Sequence, residues 1–453
     1  MEKKKTFFKT VCALALPVTL QSILQSSFSI VDQIMIGQLG KTSIAGVGLA
    51  GKFASIYTVI ISAVGAVAGI MISQYLGQQN KSEVRRSFNI NLYLGVMIAG
   101  LFTLLCALLP TQVMNLYTKD LDTLGAAAND LSLISLTYLP LAGATLCSTL
   151  FRCTEKPRLP LYASIVSATL NTVLNYILIF GKLGFEPMGA QGAAIATVIS
   201  QWANFLIMFC MFSCEKTLLP KCDSTANIKT KFDYKQYLSM LIPILVCEVL
   251  WSLGENVYAA IYGHMGTDAS AAMTLINPIQ GIVIGALCGL SQAAGVIIGK
   301  QLGAKEYDNA YTASKKLLVY GAVGSIILSL IVVLTSPFYV EIYQVESAVK
   351  QLTIQILIAY ALVAPFKVLN MILGGGIIRS GGRTKYVMYI DAIGTWCFGV
   401  PLGLIAAFVC KFPIPYVYFI LSLEECIRFV ISLFVLKNKK WMNSLEAKEG
   451  ENK

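Results

Sequence analysis

Residues 12–40, CALALPVTLQSILQSSFSIVDQIMIGQLG, recur in outline 226 positions later as residues 238–266, LSMLIPILVCEVLWSLGENVYAAIYGHMG. Pro17 falls on Pro243, Gly37 on Gly263 and Gly40 on Gly266. Beyond this stretch the same offset carries Ala45 onto Ala271, Ala68-Gly69 onto Ala294-Gly295, Leu76-Gly77 onto Leu302-Gly303 and Gly95 onto Gly321. An offset of 227 carries Arg152 onto Arg379 and Tyr162 onto Tyr389. A nearly constant offset over so much sequence marks two copies of one unit. In an apolar chain, duplicated halves are a construction plan of secondary transporters, with the binding site within or between the halves.

Apolar residues make up 56% of the 453 residues and charged residues 13%, and the mean hydropathy is +0.68. Soluble domains do not have this composition. A spanning helix takes roughly 20 mostly apolar residues. Twelve runs qualify: 12–36, 49–74, 88–110, 131–152, 158–181 and 190–213 in the first copy, then 238–263, 275–299, 315–337, 352–377, 386–410 and 412–436 in the second. The predicted fold class is an all-α polytopic membrane protein with twelve transmembrane helices in two six-helix bundles. With an even number of spans in each half, both copies start on the same side. A pseudo-two-fold axis along the membrane normal then relates the bundles, with a cleft between them. The expected domains are an N-terminal lobe (1–213), a cytoplasmic linker (214–237), a C-terminal lobe (238–436) and a polar, solvated cytoplasmic tail (437–453).

The net charge of +11 suggests nucleic-acid affinity until its placement is considered. Lys3 to Lys5, Arg85 and Arg86, Arg152 and Arg158, the lysines of 216–235, Lys300 to Lys316, Arg379 to Lys385 and the C-terminal lysines all fall in loops on one side. The other side carries little more than Lys41, Lys52, Lys119, Lys182, Lys350 and Lys411. This is the positive-inside pattern, and it puts both termini in the cytoplasm of a multi-pass protein of the plasma (inner) membrane. The partners are then the lipid bilayer and small molecules, not nucleic acid, and nothing in the sequence calls for an obligate protein partner. The first apolar run follows lysines as a signal peptide would, but it is long, lacks a small-residue cleavage site and recurs at 238–263. It reads as a retained span. The twelve cysteines form no CxxC or zinc spacing and read as small buried hydrophobes. GxxxG spacings at Gly65/Gly69, Gly281/Gly285/Gly289 and Gly295/Gly299/Gly303 point to close helix packing.

Ionisable groups inside a span are expensive, so each raises a functional hypothesis. The chain has Asp32, Glu248, Glu255, Lys367, Asp391, Glu424, Glu425 and Arg428. The last three share one helix at spacings of three and four, so Arg428 reads as a local counter-charge. Asp391, close behind Lys385, reaches either water or an arginine. Asp32 lies five residues before Gly37, near the outer end of the first span. Asn171 and Asn175, four apart on one helical face, lie ten and six residues before Gly181, and Thr197 enters the sixth span from the outer side. All four share a depth. A carboxylate with Asn and Thr oxygens suits a hard monovalent cation such as Na+, or a proton. Alternatively, the Asn and Thr groups are interhelical hydrogen-bond partners. The second copy lacks this set, since Asp32 falls on Tyr258. It offers Glu248 and Glu255 on one face with Trp251 and Tyr258, either a surface for an apolar cation or a packed aromatic seam with a glutamate paired to Lys367.

The absent motifs narrow the choice further. The nearest approach to a Walker A loop, Gly40-Lys41-Thr42, has Met35 where the first glycine belongs. The single histidine, His264, sits in a loop, so neither a His-metal site nor a Ser/His/Asp hydrolase is expected. No cofactor is expected; energy would come from a Na+ or H+ gradient or from the membrane potential.

With Pro17, the stretch Val31-Asp32-Gln33-Ile34-Met35-Ile36-Gly37-Gln38-Leu39-Gly40, Gln74-Tyr75-Leu76-Gly77, Asn171 to Gly181 and Gly189-Ala190-Gln191-Gly192 through Thr197, the chain resembles the multidrug and toxic compound extrusion (MATE) family. Tyr262-Gly263-His264-Met265-Gly266 and Gly299-Lys300-Gln301-Leu302-Gly303 repeat the theme in the second half. The resemblance spans nearly the whole chain. It implies two six-helix lobes forming a V and export of amphipathic, cationic molecules by alternating access in exchange for Na+ or H+. It also implies that the aspartate matching Asp32 takes the coupling ion with the positions matching Asn171, Asn175 and Thr197, and that the proline matching Pro17 bends the first helix. Some relatives carry aspartate where this chain has Asn175, which removes a charge and leaves both ions open. A lipid-linked saccharide flippase of related architecture would carry a more cationic cleft, a channel would conduct without coupling, and a membrane-embedded enzyme would need a catalytic constellation that the chain does not have.

Overall fold

The computed structural model describes residues 2–39, 41–215, 233–343 and 345–445. Among these residues there is no strand. The first half runs α1 (Glu2–Ile36), α2 (Lys41–Gly77), α3 (Lys81–Leu108), the short α4 (Pro110–Met114), α5 (Leu121–Ile134), α6 (Tyr138–Cys153), α7 (Arg158–Phe180) and α8 (Gly189–Cys214). The second half runs α9 (Tyr234–His264), α10 (Thr267–Gly303), α11 (Tyr307–Glu341), α12 (Ser347–Asn370), α13 (Lys385–Ala392), α14 (Val400–Leu404), α15 (Ile414–Ser422) and α16 (Glu424–Lys437). Polar residues start several of these helices. The Asn80 side chain accepts from the Glu83 amide at 3.1 Å, and the Asp233 carboxylate accepts from the Gln236 amide at 3.0 Å, so each satisfies an orphan donor of a first turn. Gly181 closes α7 at φ +65°, a left-handed cap that suits glycine.

Among the described residues, eleven helical segments are long and apolar enough to cross a membrane. The twelfth predicted span is broken at Leu423 into α15 and α16, the point at which Glu424 and Glu425 enter. A one-turn 3-10 segment, Ser135–Thr137, joins α5 to α6, so the fourth crossing begins at Leu121 and not at residue 131. Wide π-helical turns extend α12 over Met371–Ile378 and link α13 to α14 over Ile393–Gly399. Such turns depart from the regular hydrogen-bond ladder and tend to mark functional places.

The chain divides into two compact units: Leu20–Leu76 with Asn80–Ile228, and Met1–Thr19 with Gly77–Gln79 and Lys229–Lys453. This boundary differs from one drawn at residue 213, because the beginning of α1 packs in the C-terminal unit. There Val11 shares a core with Cys247, Leu290 and Trp441. The Thr19 hydroxyl donates to the Ala286 carbonyl at 3.0 Å. Gly289 has no side chain, and a Cβ there would collide with the Ala15 carbonyl, so glycine is what lets α10 approach α1. The division falls two residues after Pro17, which has no amide to donate within α1. In the N-terminal unit Tyr57, Ile61, Leu131 and Tyr138 are fully buried, and the Tyr57 hydroxyl donates to the Tyr138 carbonyl.

The stretch after Lys437 is not a solvated tail as far as Leu445. Trp441 is 0% exposed and Leu445 2%, because the two apolar side chains fold back on the C-terminal unit beside Gly381 and Gly382. The Gln78 amide holds the segment by donating to the Ser444 hydroxyl at 3.3 Å. Trp441→Ala should cost about 3–5 kcal/mol, the range for emptying a fully buried aromatic site. Thermal unfolding in detergent should register that loss as an early transition. Residues 216–232 of the expected linker and 446–453 of the tail lie outside the described residues.

Candidate functional site

The four residues that sequence depth selects in the first half come together in the N-terminal unit. Helices α7 and α8 pack along one another, which lays Asn171 against Thr197 and Ser200. The Asn175 amide donates to an oxygen of Asp32 and, at 3.2 Å, to the Asn171 side-chain oxygen. The Asn171 amide then donates to the Thr197 and Ser200 hydroxyls, each at 3.4 Å. The result is one polar chain from α1 through α7 to α8. Asp32 and Asn171 are half-buried and Asn175 is 1% exposed. The remaining oxygen of Asn175, Oδ1, is buried with no hydrogen-bond partner among the described residues. An acceptor left in that condition costs roughly 1–3 kcal/mol and is suited to a cation or an added proton. The donors are all hard oxygens, the set that suits Na+. The same carboxylate suits a proton equally well.

Sequence reading missed a second carboxylate here. Asp130 on α5 is 4% exposed, its Oδ2 has no hydrogen-bond partner among the described residues, and it lies within electrostatic reach of Asp32. It escaped because the fourth span was expected to begin at residue 131, which put Asp130 in a loop where a carboxylate costs nothing. The available signal was Asp120, whose side chain caps α5 at the Thr123 amide 3.2 Å away and so starts that helix ten residues earlier.

The second-half candidates separate. Glu255 and Tyr258 line a cavity of about 350 Å³ inside the C-terminal unit, together with Gln280, Tyr360, Lys367 and Glu424. Glu248 stands apart from it and pairs with Arg379 at 3.4 Å. Trp251 does not line it and is 48% exposed. Lys367 is not paired to a glutamate: among the described residues it makes no ion pair. Glu424 and Glu425, which line the cavity, share one guanidinium with Asp391, which does not. Arg428 lies 3.8 Å from Asp391, 3.6 Å from Glu424 and 3.8 Å from Glu425, and it also donates to the Thr395 hydroxyl. Glu424 accepts from the Tyr258 hydroxyl, and Glu425 accepts from the Asn370 amide at 2.9 Å. Gly399 leaves room for this contact, since a Cβ there would strike both the Tyr258 hydroxyl and the Glu424 carboxylate. The expected local neutralisation by Arg428 is present, and it extends to Asp391. Among the described residues no group of His, Cys, Asp and Glu is arranged to hold a metal ion through those side chains.

The family model described as MatE matches residues 17–177 and 243–405, one match in each half. Among curated proteins the chain is similar to the probable multidrug resistance protein YoeA of Bacillus subtilis, at 23% identity over 91% of this chain and 90% of that one. It is also similar to the probable multidrug resistance protein NorM of Neisseria meningitidis serogroup A, at 27% identity over 88% and 87%. Among solved structures it is similar to a MATE protein in complex with MaL6, with a TM-score of 0.87 at 17% identity over 95% and 97% of the two chains. The bent form of the Vibrio cholerae MATE transporter VcmN gives a TM-score of 0.86 at 18% identity over 98% and 100%.

Proposed function

Because the chain belongs to the MatE family of multi-pass membrane transporters, we propose that it is a plasma-membrane antiporter. It exports amphipathic molecules that bear a cationic group, in exchange for inward Na+ or H+, with both termini in the cytoplasm. The observation that carries this reading is the continuous chain from Asp32 through Asn175 and Asn171 to Thr197, with an orphaned acceptor oxygen at its centre. Asp32 is the charge that the coupling ion neutralises, and the amides and hydroxyl orient it. Since α1, α7 and α8 each contribute, a change of charge at Asp32 alters how three helices pack and so biases one conformation over another. A cation with equal affinity for both states would shift nothing, so the coupling depends on Asp32 changing its surroundings between them.

The test is export of a fluorescent cationic dye by purified protein in proteoliposomes, under Na+ and H+ gradients imposed separately. Dye accumulation against its gradient under one ion and not the other supports antiport and identifies the ion. Dye movement that stops at equal concentrations under both would overturn the reading.

Asp130 is a second buried carboxylate within electrostatic reach of Asp32. Asp130→Asn should raise the coupling-ion concentration for half-maximal export by about tenfold, the effect of losing roughly 1.4 kcal/mol of attraction. Maximal export at saturating ion should be preserved. Titrating transport against the ion checks this, and an unchanged midpoint would remove Asp130 from the site.

A further inference from the structure

We propose that the cavity of the C-terminal unit is a zwitterion site, in which Lys367 takes an acidic group of the exported molecule and Glu255 takes its cationic group. This rests on the transporter reading and names the substrate class for it. Four charged side chains line the cavity, Glu255, Lys367, Glu424 and Glu425; Glu424 is already held by Arg428 and Tyr258, and Glu425 by Arg428 and Asn370. Glu255 and Lys367 are not. Among the described residues neither makes a hydrogen bond or an ion pair, although both face the same space. Lys367 lies within electrostatic reach of Glu424 without pairing to it, so Lys367 and Glu255 present opposite charges on the wall of a low-dielectric cavity that a ligand carrying both charges would match.

That pair discriminates among ligands by charge pattern. A monocation gains from Glu255 and is repelled by Lys367, and a monoanion meets the reverse along with the acidic cluster behind it. Only a molecule carrying both charges satisfies both groups, and specificity of this kind comes as much from the repulsive member as from the attractive one. A second, independent feature points to a ligand. Tyr360 lines the cavity and is 2% exposed, yet its hydroxyl has no hydrogen-bond partner among the described residues. Tyrosine hydroxyls buried this deeply ordinarily find one. The volume, about 350 Å³, lies within the usual range for small-molecule sites of roughly 300–1,000 Å³.

Three xanthene dyes of one shape test the charge pattern. Rhodamine 110 is a zwitterion, rhodamine 123 is its methyl ester and hence a cation, and fluorescein is an anion. Binding to purified full-length protein should be tightest for rhodamine 110. Lys367→Gln should weaken rhodamine 110 by about tenfold or more and leave rhodamine 123 as tight or tighter, so that the order of the two inverts. Lys367→Arg should keep the wild-type order, which guards against reading misfolding as specificity. Glu255→Gln should weaken both rhodamines. Equal effects of Lys367→Gln on the two dyes, or tightest binding of fluorescein, would overturn the proposal. Because this is a binding measurement, its failure with ion-driven export intact removes the zwitterion site alone. Absence of ion-driven export of any dye removes the transporter reading instead.

Discussion

Asp32→Asn should abolish ion-driven accumulation while leaving the protein folded and its dye binding unchanged. Asparagine has the same shape and can still accept from the Asn175 amide, so the hydrogen-bond chain to Asn171 and Thr197 survives the substitution. What disappears is the carboxylate charge at the head of that chain. In one-for-one exchange of a monovalent cation for a singly charged cationic dye the membrane potential cancels, and a tenfold ion gradient contributes roughly 1.4 kcal/mol, which corresponds to an accumulation ratio of roughly tenfold. The variant should bring the dye only to equal concentrations on the two sides. Proteoliposomes with an imposed ion gradient and potential read this directly. Accumulation in Asp32→Asn at the wild-type ratio would place the coupling charge elsewhere. Asp32→Glu should keep part of the activity, because it retains the charge and displaces it.

The largest loss of stability should follow Arg428→Met. Three carboxylates share this one guanidinium, and Arg428, Glu424 and Glu425 are exposed by only 7%, 5% and 6%. Methionine fills much of the same space and leaves the carboxylates buried without a cation. Breaking a buried pair from one side costs about 3–5 kcal/mol, and here more than one pair is broken. The purified variant should therefore melt well below the parent, or fail to accumulate in the membrane. Restoring neutrality with Glu425→Gln in the same chain should recover part of the loss, because the penalty comes from uncompensated charge and not from shape. If Arg428→Met melts with the parent, the cluster is solvated and is not a structural ion network.

The resemblance carried by residues 31–40, 171–181 and 189–197 pointed to the polar chain around Asp32, and the spacing of those residues made it legible. Asn171 and Asn175 are one helical turn apart, and apolar spans of known thickness set their depth, so residues distant in sequence could be matched by level. Asp130 was not legible in this way. Its depth depends on where the fourth crossing begins, and in the sequence a capped polar start at Asp120 looks like a loop. The second half was harder. Seven-residue spacing puts Glu248 and Glu255 on one face of α9, but a helix face is wide enough for its two ends to meet different neighbours. Glu248 meets Arg379, while Glu255 meets open space.

By itself the sequence determined that this is a duplicated, all-helical membrane chain, because hydropathy and periodic glycines act locally and survive in any arrangement of the helices. It also determined which spans carry charge, apart from the fourth, whose Asp130 was placed in a loop. Only the tertiary structure decided which of those charges are already matched. Burial makes a charge costly, but whether a partner lies within reach depends on contacts between residues far apart in the chain. The Asp391–Arg428 pair is one such contact, and Lys367, which faces the cavity of Glu255 and makes no ion pair among the described residues, is the opposite case.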